Sequence, residues 1–442
     1  MKLNTKKTVL VGFAFLAISA FWQMYDGLIP KMLTETFDMP ESVAGYIMSA
    51  DNILALFLLP LFGGISDRTS TKIGKRRPFI LFGTIAAVAL MVWLPIIDNS
   101  FFASPSNDKI ITFIILLALL LIAMGTFRSP AVALMPDVTP KPLRSKGNAI
   151  INLMGAVGGI LYLLVTAVLY PASKTNGLDH INYFPLFIIV GVIMAVSVLI
   201  VMLFVNEPKL TKEREEIEKD LPDETEEQTD ANTTVMSKPV KRSLIFLLLS
   251  VALWFIGYNG ITTWFTSFAK EVWGMEIGVA SLCLTVAMAG AIVSYIPVGV
   301  VSSKVGRKKT ILFGVALLAS CFAAGYIFSI MYDHFTPILY IIFVLVGVAW
   351  ASINVNSFPM VVEMCKGADI GKFTGYYYTF SMAAQIVTPI IAGYLLENVS
   401  YKILFLYSAV FVALAFVTMC FVKHGDNKIE AEVGLESFDV GD

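Results

Sequence analysis

The sequence reads GGISDRTSTKIGKRRPFILFG at residues 63–83, and it reads PVGVVSSKVGRKKTILFG at residues 297–314. In both stretches a glycine-containing apolar run ends, a basic cluster follows, and a second apolar run begins. The two stretches lie about 232 residues apart in a chain of 442 residues. A loop that recurs at matching places in the two parts of a chain predicts two similar structural units.

Apolar runs extend outward from these loops over most of the chain. Hydrophobic residues make up 57% of the sequence and charged residues only 15%, whereas soluble domains contain about 25% charged residues. A helix needs about 20 apolar residues to cross a bilayer, because lipid offers the backbone no hydrogen-bond partners. We count twelve such runs, at residues 8–29, 43–65, 78–97, 110–135, 148–170, 183–205, 243–268, 279–301, 309–332, 336–362, 373–396 and 401–422. The sequence therefore predicts an all-α membrane protein whose twelve transmembrane helices form two six-helix, pseudo-symmetric halves.

The distribution of lysine and arginine predicts the orientation of these helices. With a cytoplasmic N-terminus, the inner segments carry 26 of the 32 basic residues and the outer loops carry five. By the positive-inside rule, we expect both termini to be cytoplasmic. The expected location is a plasma membrane or a bacterial inner membrane.

One long break divides the apolar runs into six plus six. Residues 206–242 carry eleven acids and seven bases, which predicts a charged cytoplasmic linker with a short surface helix at residues 211–220. The linker separates an N-terminal half at residues 1–205 from a C-terminal half at residues 243–422. An acidic cytoplasmic tail follows at residues 423–442.

Several classes of function are excluded by composition. A net charge of −1 gives nucleic acid no basic surface to bind. Three of the four cysteines lie in apolar runs, the fourth, Cys365, lies just after the tenth run, and the three histidines lie in polar connections. We therefore expect no disulfide framework and no metal site. No nucleophile, base and orienting residue can be grouped from these runs, so we expect neither an enzyme nor a cofactor other than a coupling ion.

Polar side chains are distributed unevenly among the apolar runs. The cores of the third, sixth, ninth and twelfth runs contain no Asp, Glu, Lys, Arg, Asn or Gln. Because a charge or an amide in lipid is costly unless it faces a cavity or a partner, we expect these four helices to be peripheral. The others should surround a central cavity. The residues expected to face it are Gln23, Asp26, Asp51, Asn52, Arg128, Asn152, Asn259, Asn354, Asn356 and Gln385.

Aromatic residues accompany these polar groups at Trp22, Tyr25, Trp254 and Tyr258. Amides that donate and accept hydrogen bonds, beside flat apolar rings, suit a polyhydroxylated ring. We therefore predict that the amides and aromatics bind a sugar, with Trp22 or Trp254 as a stacking face. The alternative is that tryptophan and tyrosine serve as interfacial anchors and packing residues.

The three charges inside the runs are candidates for ion coupling. At a rise of about 1.5 Å per residue, Arg128 lies roughly 13 Å from the cytoplasmic helix end, Asp51 roughly 22 Å and Asp26 roughly 27 Å. Pairing lowers the cost of burying opposite charges, and Arg128 matches Asp51 more closely in depth. We predict that Asp51 is the principal coupling carboxylate, with Arg128 as its counter-charge and Asp26 as the alternate.

The repeated loops and the twelve runs resemble the major facilitator superfamily, over essentially the whole chain outside the linker and the tail. The phrase SDRTSTKIGKRRPFI at residues 66–80 is similar, more narrowly, to the matching loop of the sucrose-transporter-like and glycoside-pentoside-hexuronide cation symporters. The word YDG at residues 25–27 resembles the acid-bearing first helix of proton-coupled sugar porters. The resemblance implies a transporter of sugars or glycosides, such as sucrose or maltose, that works by alternating access.

The sequence also departs from these relatives. Leu58 and Leu59 follow Asp51 by about two turns, where melibiose-type permeases carry acids for their cation. Plant sucrose transporters carry an acid on the fourth helix, where this chain has Leu121 and Arg128. The coupling ion therefore stays open between a proton and sodium.

Charges at the cytoplasmic helix ends predict a gate. Asp67 is not needed for membrane topology, so we expect it to pair with charges on neighbouring helix ends and to lock one face of the transporter. In the second half Ser302 stands in its place, which predicts an asymmetric gate. The expected gating residues are Asp67, Arg68, Arg76, Arg77, Asp137, Arg144, Arg307 and Glu363.

Together these features predict a monomeric, proton-coupled symporter of a sugar or glycoside that is embedded in membrane lipids. A sodium-coupled sugar symporter and a symporter of a uronate anchored by Arg128 are alternatives. A third alternative is a proton-coupled exporter of drugs or metabolites. The fifth run disfavours it, because GAVGGI at residues 155–160 lacks the proline that marks antiporters.

Overall fold

The computed structural model describes residues 4–140, 143–219, 237–364 and 370–426. Within that part of the chain, twelve helices are long and apolar enough to cross a membrane. This finding confirms the predicted fold class. Residues 220–236 of the predicted linker at 206–242 and residues 427–442 of the predicted tail at 423–442 lie outside the described residues.

Fourteen α-helices follow one another along the described chain. They are α1 (Thr5–Lys31), α2 (Glu41–Arg68), α3 (Arg77–Ala103), α4 (Asn107–Val138), α5 (Arg144–Leu169), α6 (Ala172–Thr175), α7 (Phe184–Phe204), α8 (Glu207–Lys219), α9 (Lys238–Trp273), α10 (Ile277–Val305), α11 (Arg307–Met331), α12 (Ile338–Glu363), α13 (Ile370–Asn398) and α14 (Ile403–Cys420). The first half consists of α1 to α7 and the second half of α9 to α14. We call the end of the bundle that carries Thr5 and Cys420 the base, and the opposite end the top.

Several helices extend beyond the predicted apolar runs. A π-helical segment, Met32–Thr36, follows α1 directly and carries the first span past residue 29. The ninth helix begins at Lys238 rather than at residue 243, and α8 begins at Glu207 rather than at residue 211. Polar residues at a helix end continue the backbone hydrogen bonds, so hydrophobicity alone places such ends too far inward.

The purely apolar helices lie at the periphery. The larger contacts of α3, α7, α11 and α14 are all with elements of their own half. The two halves meet instead along three seams, which are formed by α1 with α9, α2 with α13, and α5 with α10. Helices that carry polar residues therefore surround the space between the halves, as predicted.

The seams are tightest at the top. Ser49 Oγ on α2 donates a hydrogen bond to the carbonyl of Ile386 on α13 at 2.7 Å. Lower on α2, by contrast, the side chains of Phe57, Leu61 and Ile65 are exposed, and so is that of Tyr376 at the lower end of α13. Burial along α2 thus decreases toward the base, and the close contact of α2 with α13 lies near the top.

Candidate functional site

A small cavity lies between α1, α2 and α4 in the first half. Trp22, Asp51, Gly125 and Arg128 line it, together with leucines of α2 and α4. Asp26 lies within electrostatic range of both Asp51 and Arg128. The structure therefore brings the three charges predicted for ion coupling into one region.

Arg128 does not form the ion pair predicted for it. Among the described residues it pairs with neither carboxylate, and its Cζ atom lies 5.5 Å from the centroid of the Trp22 ring. Asp51 Oδ1 instead accepts a hydrogen bond from Asn52 Nδ2 at 2.9 Å. A guanidinium over an indole is held by the charge distribution of the ring, so in this state Arg128 occupies the aromatic face predicted for substrate.

The second half contains an aromatic stack on α9 and α12. Tyr258 on α9 and Trp350 on α12 stack with ring centroids 3.6 Å apart and an interplanar angle of 4°. Phe255 meets Trp350 edge to face. Beside Tyr258, the Nδ2 atom of Asn259 is buried and has no hydrogen-bond partner in the described chain. Such an amide is available to a ligand, because an unpaired buried donor costs about 1–3 kcal/mol.

Two predicted aromatics have no open face. Trp254 is 0% exposed and belongs to the hydrophobic core. It follows Leu247 and Val251 along one buried stripe of α9, which explains why helical spacing draws it inward. Tyr25 is also fully buried. Of the two tryptophans predicted as alternatives for stacking, Trp254 has no open face in this state, and the half-buried Trp22 is the better candidate.

The remaining predicted amides are spread along the interior. Asn356 is buried and donates to the carbonyl of Ser352 on its own helix at 3.0 Å, while Asn354 is 8% exposed. Gln23 is half-buried, with its Oε1 atom close to Gly159 of α5. Asn152 and Gln385 are half-buried on α5 and α13.

A dense charge cluster lies at the base of the first half. Arg76 bonds to Asp67, to the Ser66 hydroxyl and, through Nε at 2.7 Å, to Asp137. Lys75 reaches the same Asp137 oxygen at 3.2 Å. The cluster joins the ends of α2 and α4 to the start of α3, so these predicted gating residues pair within one half.

The other predicted gating residues differ in their surroundings. Arg77 donates to the carbonyl of Met202 on α7, whereas Arg68 is exposed and forms no ion pair with the described residues. Arg307 pairs with Glu363 at the base of the second half, at the place where Arg76 and Asp137 meet in the first. Arg144 begins α5, but its side chain lies outside the described part of the chain.

Glu207, assigned by the sequence to a solvated linker, is instead 2% exposed. Its carboxylate accepts the backbone N–H groups of Lys75 at 2.8 Å, Arg76 at 3.0 Å and Arg77 at 3.1 Å. Gly74 makes room for it with a φ of +117°, which only glycine adopts easily. Sequence reasoning missed this contact, although the acid directly after the sixth run was a signal.

The second half repeats this device in a weaker form. Asp426, after the twelfth run, accepts the backbone N–H of Lys308 at 3.2 Å. Gly306, with a φ of +102°, faces Asp426 as Gly74 faces Glu207. The repeat that the two loops predict therefore extends to their carboxylate partners.

A second group that the sequence did not predict lies at the top. Glu35 binds Lys31 at 2.6 Å and Lys270 at 2.7 Å. Nearby, Asp98 is fully buried, and its Oδ2 lies 3.5 Å from Nε2 of His180. Burial lowers the pKa of His180, although Glu35 opposes this shift. The sequence missed these residues because each lies at or beyond the end of an apolar run.

Comparison with known proteins places this arrangement in context. A family model described as Major Facilitator Superfamily matches residues 11–282 and 269–437. Sucrose transport protein SUC4 of Arabidopsis thaliana is 29% identical over 168 residues, which cover 36% of this chain and 33% of that protein. The putative glycoside/cation symporter YagG of Escherichia coli (strain K12) is 25% identical over 212 residues, which cover 48% of this chain and 45% of that protein. Less than half the length of either relative is therefore matched.

Solved structures share the whole architecture. The inward open conformation of the xylose transporter XylE from E. coli superimposes with a TM-score of 0.65 and covers 98% of each chain. The sequences are 15% identical. At this identity the likeness concerns the fold.

Proposed function

The chain belongs to the major facilitator superfamily, and from this premise we propose that it is a secondary active transporter that imports a sugar or glycoside together with protons. The observation that carries the proposal is the cavity in which Trp22, Asp51 and Arg128 lie together inside an apolar bundle. Buried charges are costly in lipid unless they serve a pathway. These charges lie on helices of the first half, two of which, α1 and α2, also contact the second half, and this placement suits alternating access. The relatives named for sucrose and for glycosides support a sugar, and a disaccharide is the substrate that we favour.

The base of the bundle then faces the cytoplasm. It carries most of the basic residues of the chain, including the cluster around Arg76, as the positive-inside rule requires. Both termini are cytoplasmic in this orientation, and we assign an inward-facing state, which the close contact of α2 with α13 near the top supports. The transporter acts as a monomer in a plasma membrane or a bacterial inner membrane.

The position of Arg128 suggests how proton and sugar are coupled. While Asp51 and Asp26 are ionised, their negative charge holds the guanidinium in the cavity, over the Trp22 ring. Protonation of a carboxylate removes part of that attraction. Arg128 then leaves the indole, and a sugar ring takes its place. Sugar binding is thereby favoured when the proton is bound, which is the sign of coupling that symport requires.

Uptake by proteoliposomes tests the reaction. The panel contains mono- and disaccharides and one uronate, each with an imposed proton gradient or an imposed sodium gradient. We expect a neutral disaccharide to accumulate under the proton gradient. Accumulation driven only by the sodium gradient would show that the coupling ion is sodium. Uptake that neither gradient changes would exclude symport.

Variants of the cavity test the residue roles. Trp22→Ala should weaken sugar binding, whereas Trp22→Phe should retain part of it, because a ring still offers a stacking face. Trp93→Ala is the matched control, since Trp93 is exposed on the peripheral helix α3. If Trp22→Ala, Trp22→Phe and Trp93→Ala bind the sugar with equal affinity, Trp22 is a packing residue.

Variants of the carboxylates test proton coupling. Asp51→Asn should abolish uphill uptake but preserve exchange of sugar across an equilibrated membrane, because exchange needs no net proton release. If the Asp51 variant still accumulates sugar and Asp26→Asn does not, the coupling role belongs to Asp26. Arg128→Ala should make sugar affinity nearly independent of pH.

A further inference from the structure

The top of the bundle contains an ion pair between the two halves. Glu35 lies in the π-helical segment that follows α1, and Lys270 lies in the last turn of α9. Glu35 Oε2 and Lys270 Nζ are 2.7 Å apart, and Glu35 Oε1 binds Lys31 at 2.6 Å. One carboxylate therefore holds a lysine of its own half and a lysine of the other half.

The two lysines differ in what it costs to release them. The side chain of Lys31 is 1% exposed, so separating it from Glu35 would leave a buried charge unpaired. The side chain of Lys270 is 45% exposed and returns to water at little cost. The bond to Lys270 is therefore the one that breaks when the halves part, while Glu35 stays with Lys31.

We propose that Glu35 and Lys270 form a latch that keeps the outer face of the transporter closed, an inference that rests on the proposed alternating access. Lys31 is the positioning residue that keeps the Glu35 carboxylate in place for Lys270 in each cycle. The ion pair of the latch is formed in the inward-facing state. It breaks when the transporter changes to the outward-facing state.

The latch lies on the helix that carries a coupling candidate. One turn before Lys270, the hydroxyl of Thr266 donates to the carbonyl of Gly27 at 2.8 Å, and Gly27 follows Asp26 directly. Pro30 interrupts the backbone hydrogen bonds between this contact and Glu35. A proline followed by a π-helical segment gives the end of α1 a place to bend. A conformational change around Asp26 can therefore move Glu35 through the short segment that contains Pro30.

Thiol labelling measures the opening of the top. Ser49, fully buried at the seam of α2 with α13, is replaced by cysteine in a chain whose four native cysteines are changed to serine. A membrane-impermeant maleimide is applied to right-side-out vesicles. We expect Lys270→Ala to raise the labelling rate about two- to fivefold, which is the range that loss of one half-exposed ion pair allows. Lys270→Arg should restore the original rate.

Lys402→Ala is the matched control. Lys402 is also at the top, its side chain is 41% exposed, and it pairs with Asp333 at 3.4 Å within the second half. This variant should label at the original rate. Equal labelling of the Lys270 and Lys402 variants would overturn the latch.

Glu35→Gln should raise the labelling rate at least as much as Lys270→Ala. It also leaves the buried Lys31 without its charged partner, which can prevent folding. The double variant Lys31→Met/Glu35→Gln removes both charges and keeps the test available if the single variant does not fold. Unchanged labelling of the folded double variant would contradict the proposal. Since labelling needs no substrate, faster labelling without sugar uptake would preserve the latch and reject the proposed substrate.

Discussion

At the top of the bundle the pair of Glu35 with Lys270 joins the two halves, whereas at the base Arg76 with Asp137 and Arg307 with Glu363 each join helices of one half. Similar chemistry therefore has different consequences at the two ends. A bond within a half adds to the stability of that half in every state of the cycle. A bond between halves favours only the states in which that face is closed, so it changes populations rather than folding.

The largest effect on folding is expected from Arg76, which is buried among four hydrogen-bond acceptors at the base. Arg76→Ala should lower the free energy of unfolding by about 3 kcal/mol, because it removes several hydrogen bonds of a charged group, whereas the half-buried Asp137 keeps Lys75 as its partner. Denaturant titration in detergent measures this loss. Arg68→Ala, at the exposed neighbouring arginine, is the control and should change the free energy of unfolding very little.

The same Arg76 variant sharpens the comparison between the two ends. Labelling of cysteine at position 49 from the outside should stay at its original rate, since the Arg76 cluster does not join the halves. If Arg76→Ala speeds labelling as much as Lys270→Ala does, the division of roles between top and base is wrong.

An intermediate effect is expected from Glu207, whose carboxylate accepts three backbone N–H groups. Glu207→Gln should cost about 1.5–3 kcal/mol of unfolding free energy, the range for hydrogen bonds to a charged group. Asp426→Asn, with the single bond to Lys308, should cost about 1 kcal/mol or less. Thermal unfolding of both variants shows which one loses more stability. Equal losses would contradict the prediction that this contact is stronger in the first half than in the second.

The smallest effect is expected where α8 meets α1 at the base. Lys7 Nζ lies 2.7 Å from Glu213, and the hydrogen bond from Lys7 lowers the pKa of that carboxyl. A lowered pKa in the folded state stabilises the protein above the pKa of the unfolded chain, about 4.3, and this gain disappears as pH falls through the folded value. Lys7→Ala should therefore cost about 0.3 kcal/mol at pH 7, because both groups are partly exposed.

Unfolding curves at pH 7 and pH 3.5 check this pH dependence. The difference between Lys7→Ala and the original chain should be smaller at the lower pH. Lys6→Ala, at the exposed residue one position earlier, is the control. A difference that grows as the pH falls would have the opposite sign and would exclude this ion pair as its source.

Amino-acid composition and periodicity determined the membrane class, the twelve spans and the peripheral position of the apolar helices. These features follow from the properties of lipid, which accepts neither an unpaired backbone group nor an isolated charge. The repeated loops likewise identified Arg76 and Asp137, with their counterparts Arg307 and Glu363, as neighbouring helix ends. These features depend on the charge and hydrophobicity of each segment by itself, so the sequence is sufficient to predict them.

The contacts between distant segments were decided only by the tertiary structure. Depth along a helix suggested that Arg128 pairs with Asp51, but it leaves the direction of each side chain open, and Arg128 lies over Trp22 instead. Trp254 and Tyr258 are one turn apart on α9, yet one is in the core and the other stacks on Trp350. Glu207, Glu35 and Lys270 looked like solvated ends of apolar runs. Their partners belong to other helices, and helix packing brings those partners within hydrogen-bond distance.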